Sequence, residues 1–107
     1  MTLSEFGTAI AEIGIPAVYG YHHEETAPPY IAYASTLRNV IYADGIVVYS
    51  EEWVELKLVT KSRSIEAENS IELLFNQNGL QYDDPEFAFD EKQGIHTATY
   101  YFQLEEG

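Results

Sequence analysis

The chain of 107 residues contains no cysteine. Disulfides and thiolate metal sites are therefore excluded, which fits synthesis in a reducing cytosol. No run of about 18 apolar residues occurs, so no transmembrane helix is expected. The N-terminal MTLSEF lacks a basic segment followed by an apolar one, so no signal peptide is expected. Basic residues are scarce: five Lys and Arg stand against eighteen Asp and Glu, for a formal net charge of −13. Such a surface repels phosphate, which argues against nucleic-acid affinity through counterion release and against docking on anionic membranes. Acidity of this degree ordinarily serves solubility. There is no Walker loop, no dinucleotide fingerprint and no G-x-S-x-G elbow; Gly20, Gly45, Gly79 and Gly94 are widely separated, and neither Ser35 nor Ser50 has a glycine frame. No enzyme and no cofactor are expected on these grounds.

What is present is a core. Hydrophobic residues make up 46% of the chain, too many for a disordered protein. The length suits one domain over residues 1–107. A domain of this size hides roughly 60–70% of the surface its unfolded chain exposes.

Helical spacing of Leu3, Phe6, Ile10 and Ile13 predicts a first helix over Leu3–Ile13, opened by a T-x-x-E capping box at Thr2 and Glu5. Gly14 offers a left-handed stop and Pro16 bars continuation. Strands are expected over Ala17–Tyr21 and Tyr30–Leu37, the second set up by Pro28-Pro29 and apolar on both faces, hence central. Arg38 to Glu52 reads as a loop with a turn at Ala43-Asp44-Gly45 and a possible short strand at Ile46–Tyr49. Trp53–Thr60 alternates, with Val54, Leu56 and Leu58 inward and Glu55 and Lys57 outward. A second helix is predicted over Ile65–Gln77, with Ser64 as N-cap, Glu66 and Glu68 in the first turn, and Ala67, Ile71, Leu74 and Phe75 as its buried stripe. Asn78-Gly79 ends it. Two strands follow, Glu86–Phe89 and Ile95–Leu104, with Glu105-Glu106-Gly107 frayed. The order α-β-β-(β)-β-α-β-β predicts an α+β fold: a mostly antiparallel sheet of about five strands with two helices packed on one face.

His22-His23-Glu24-Glu25 resembles a metal site only superficially. Neighbours on an extended chain point to opposite sides, and no H-x-x-x-H or H-x-H spacing occurs. A solvated loop is the expected reading; the competing one is a small metal-dependent hydrolase that joins His22 or His23 to a distant carboxylate. The acidic pairs Glu51-Glu52, Asp83-Asp84 and Asp90-Glu91 read as solvated turns and strand ends, since nothing marks any pair as opposed across a cleft. Aromatics make up 14% of the chain. Trp53 and Tyr101 fall on the outer side of their strands, where a protein contact and partial burial under a loop are the two readings.

Several segments resemble small tail-completion proteins (tail terminators, or minor capsid proteins) of long-tailed bacteriophages and prophages. They are the L-x-x-F-x-x-x-I helix (Leu3, Phe6, Ile10), Ile15-Pro16-Ala17-Val18-Tyr19, Pro28-Pro29-Tyr30-Ile31-Ala32-Tyr33, the loop from Asn39 to Asp44, and the strand Val54–Thr60. These are patterns of fold and turn, not of catalysis. The resemblance implies a virion structural protein that caps the head-proximal end of the tail tube as a homo-oligomeric ring, commonly a hexamer. Such proteins form part of the head–tail junction. The implied partners are other copies of the chain, the tail tube protein and the head connector protein. DNA passes through without being specifically bound, and virion assembly takes place in the host bacterial cytoplasm. Six copies would carry roughly −78 around the channel, which would keep DNA from adhering but also oppose assembly. Interface candidates are therefore the cations Arg38, Lys57, Lys61 and Arg63, with Tyr42 and Val48 on the Arg38–Glu52 loop and the outer aromatics Trp53 and Tyr101. A third reading is an acidic protein-binding module that mimics nucleic acid toward a basic partner.

Overall fold

A computed structural model of the chain describes residues 1–20 and 27–106. The elements in chain order are α1 (Leu3–Ala11), β1 (Ala17–Tyr19), β2 (Tyr30–Ala43), β3 (Ile46–Thr60), α2 (Ile65–Gln77), β4 (Glu86–Asp90) and β5 (Ile95–Glu106). They build the α+β architecture expected from the sequence: one five-stranded sheet in the order β1-β2-β3-β5-β4. β1 runs parallel to β2, and the other neighbours are antiparallel.

The helices form where local chemistry satisfies their ends. Thr2 Oγ1 accepts from the Glu5 backbone N–H at 3.0 Å, and the Glu5 carboxylate accepts from the Thr2 N–H at 3.0 Å, a complete capping box. The helix stops at Ala11 rather than Ile13, because the N–H groups of Glu12, Ile13 and Gly14 bond three residues back in tight turns. For α2 the N-cap is Ser64, whose hydroxyl accepts from the Ala67 N–H at 3.2 Å. Gly79 beyond its end has a φ of 65°, the left-handed conformation that glycine adopts without steric cost.

Both helices bury their stripes on the same sheet face. Phe6 and Ile10 from α1, and Ala67, Ile71, Leu74 and Phe75 from α2, meet Ile31, Val54, Leu56, Leu58, Ala98, Tyr100, Phe102 and Leu104. Alternation dictates this, since inward residues two apart share a face. The rings of Phe6, Phe75 and Phe102 lie within 4.6 to 6.4 Å of one another and form the centre.

Three further expectations need correction. Arg38 to Glu52, including Asn39 to Asp44, is not a loop: β2 and β3 run through it as one long hairpin. Its turn is Asp44-Gly45, with φ of 53° and 76° between the paired Ala43 and Ile46, the two-residue geometry that an Asp-Gly pair favours. The short strand at Ile46–Tyr49 and the strand at Trp53–Thr60 are thus one element. Nor are Glu105 and Glu106 frayed; β5 extends through them, paired with Glu51 and Ser50. Finally, β1 ends at Tyr19; Tyr21 and the His22–Glu25 loop lie outside the described residues.

Candidate interaction surface

The hairpin outruns the sheet. The arm, counted from the pair Leu37 and Trp53, is flanked by β5 only at its root; β5 ends at Glu106 opposite Ser50, and beyond that pair β2 and β3 continue as two strands with no third among the described residues. The protein is accordingly elongated, 54 × 26 × 22 Å. Two register shifts shape the arm, one between Ser35 and Leu37 and one between Ile41 and Tyr42. The first leaves Thr36 as the extra residue, its hydroxyl donating to the Trp53 carbonyl at 3.3 Å, and sets Leu37 opposite Trp53. At the root, Glu51 accepts from Asn39 Nδ2 at 3.1 Å and from Gln103 Nε2, which ties the arm to β5.

The arm is apolar where it should be wet. Leu37 is 53% exposed, Ile41 51%, Tyr42 64% and Ile46 67%. Between Ile41 and Tyr49 the only charged side chain is Asp44, in a chain of net charge −13. A bare two-stranded ribbon is marginal in water, and clustered exposed apolar side chains mark contact surfaces.

The candidates named from the sequence are dispersed over the molecule. Arg38 and Tyr42 are exposed on the arm. Val48 belongs to β3 near its tip, and its side chain lies outside the described residues. Trp53 is half-buried on the outer face, beside a shallow cleft of about 450 Å³ lined by Leu80, Gln81, Tyr82 and Asp83. Lys57 pairs with Glu55 at 3.4 Å, an exposed contact of little energetic weight. Tyr101 is also half-buried, and the charge of Glu55 raises its phenol above the usual range. Lys61 is exposed. Arg63 is engaged within its own chain: its Nε and Nη2 donate to the Glu68 carboxylate at 3.2 and 3.3 Å, and the guanidinium sits 4.6 Å over the Phe87 ring.

Sequence reasoning missed the two inward acids of α2, one buried and one half-buried. Glu68, expected only as a first-turn acid, is 4% exposed and held by Arg63. Glu72 accepts from the Tyr100 hydroxyl at 3.0 Å and, at a long 3.4 Å, from Tyr82. The signal was available: Glu68 and Glu72 adjoin Ala67, Ile71 and Phe75 at helical spacing. Burial, with the Glu72 hydrogen bond and charge adding to it, pushes the Tyr100 phenol far above the ordinary tyrosine range. Tyr82 is raised in the same direction, again first by burial.

The folded state therefore keeps the Tyr100 proton above about pH 10, where the unfolded chain gives it up. Stability is fully present below that pH and falls as pH rises beyond it, by up to ~1.4 kcal/mol per pH unit for one tyrosine. Denaturant midpoints measured from pH 8 to 11 should show this decline, and Tyr100→Phe should flatten it. An unchanged slope would exclude Tyr100 as its source.

Among the described residues no group of three His, Asp or Glu side chains could hold a metal ion. Asp90 caps its own turn, accepting from the Lys92 and Gln93 N–H groups at 2.9 and 3.2 Å, and Asp83 and Asp84 are exposed. A sequence comparison with protein-family models finds no match, and one with curated proteins finds none either.

Proposed function

We propose that this chain is a virion structural protein of the tail-terminator kind, which closes the head-proximal end of a phage tail as a ring and presents a surface to the head connector. The observation that carries the reading is the projecting arm, whose exposed Leu37, Ile41, Tyr42 and Ile46 call for a protein partner. The tail-completion resemblance supplies the identity of that partner: neighbouring copies and the tail tube. The net charge of −13 supports the same reading, because a channel lined by such subunits lets DNA pass without adhesion. In this role the protein has no catalytic centre and no cofactor.

Deletion of the gene from the parent phage or prophage, followed by electron microscopy of the lysate, tests the proposal. Overlong tails separate from filled heads are the expected result. Tails of normal length that fail to join heads would move the protein to a neighbouring joining role in the neck. Intact virions would refute the reading and favour the acidic binding module, for which the charge of −13 is the supporting observation.

A further inference from the structure

Among the described residues the sheet leaves several edges open, and two of them differ in charge. β4 is its last strand, with every residue exposed and no neighbour beyond it among the described residues. A second is β2 along the arm, since β1 pairs only with Ile31 to Tyr33. Unpaired N–H and C=O groups on such edges are templates for another strand.

The two edges match each other in chemistry. β4 reads Glu-Phe-Ala-Phe-Asp, with charge −2 and with Phe87 46% and Phe89 58% exposed. Residues 37–43 of β2 read Leu-Arg-Asn-Val-Ile-Tyr-Ala, with charge +1. In so acidic a chain this is a rare stretch of positive sign. Its cation, Arg38, has no ion-pair partner among the described residues.

We propose that the β4 edge of one copy adds as a strand to the arm edge of β2 in the next copy. This names the surfaces used in the self-association invoked above, and it rests on that reading. The contact is head-to-tail, joining two different patches, so it can propagate into a closed ring. Main-chain hydrogen bonds join the strands, and Arg38 meets the aromatic face of β4, since Glu86 and Asp90 pair with Thr99 and Ile95 on the other face of the sheet. When the helices of both copies lie on the same side of the joined sheet, Arg38 and Tyr42 share a face with Phe87 and Phe89. Strand pairing fixes this: Arg38 is opposite Glu52, on the same β3 face as Val54 and Leu56, and Phe87 is opposite the core residue Ala98. One copy already holds the equivalent contact internally, where Arg63 lies 4.6 Å over Phe87.

The absence of cysteine makes the test clean. Full-length copies carrying Asn39→Cys are mixed with copies carrying Ala88→Cys and treated with a short bismaleimide. Linked dimers should form in the mixture and not in either sample alone. By sedimentation, Arg38→Glu should weaken association about tenfold at low salt. Arg38→Lys, which keeps a cation over Phe87 and Phe89, should retain most of the association. Failure of the mixture to cross-link, or association unaffected by Arg38→Glu, overturns the edge contact while leaving a ring built through other surfaces intact. A chain that stays monomeric at every concentration also overturns it, and the charges of β4 then serve only to guard an edge. Tail length in the deletion lysate is decided independently of all three outcomes.

Discussion

Phe75→Ala should destabilise the domain by about 3–5 kcal/mol, more than other single truncations along α2. The ring has no exposed surface. It touches Tyr82 and Phe102 with centroids 4.8 Å away, Tyr100 at 5.6 Å and Phe6 at 6.4 Å. Its removal therefore opens a cavity where α1, α2 and β5 converge, and aromatic neighbours held by the sheet cannot collapse into it. A domain of this size has a total stability of about 5–15 kcal/mol, so the loss takes a large share of it. A fall in melting temperature on the order of 15–30 °C is expected. Phe89→Ala, at the exposed end of β4, should cost less than about 1 kcal/mol by the same measurement. Equal losses at the two positions would contradict the assignment of the core.

The arm should show the reverse behaviour. Ile41→Asp combined with Tyr42→Asp is expected to leave the melting temperature within about 3 °C of wild type, because both side chains are more than half exposed. Function should collapse. Burying carboxylates in an apolar contact costs several kcal/mol per contact, and a ring repeats the contact at every subunit, so infectious titre in a complementation assay should drop by about two orders of magnitude or more. Added charge alone must be controlled for. Ser4→Asp with Thr8→Asp adds the same two charges on the exposed face of α1 and should complement normally. Equal complementation by both double variants would remove the arm from the assembly surface.

Much of this fold was legible in the sequence because the relevant signals are local. The capping box at Thr2 and Glu5, the Ser64 cap, the bounds of α2 and the inward set Val54, Leu56 and Leu58 all follow from short-range pattern. The arm was not legible as a continuous hairpin for a physical reason. Alternation of apolar and polar residues records burial of one sheet face; on β2 the arm exposes residues of both faces, Arg38 and Asn39 among them, and on β3 the polar Ser50, Glu51 and Glu52 sit buried or half-buried beside β5, so the pattern breaks where the strands do not. The Asp44-Gly45 turn was the dependable clue, since it depends on backbone conformation and not on burial. The same distinction explains Glu105 and Glu106, whose side chains predict fraying while their main chain pairs with β3. Glu68 escaped notice because its partner Arg63 precedes the helix, and only the fold brings the guanidinium back over the first turn.

The central claim is a place in the virion. Its most direct test is to locate the protein there, by immunogold labelling of purified particles and of tails released from them. Gold confined to the head-proximal end of the tail, at the junction with the connector, is the predicted result. Gold along the tail, on the capsid or absent from particles would contradict the account.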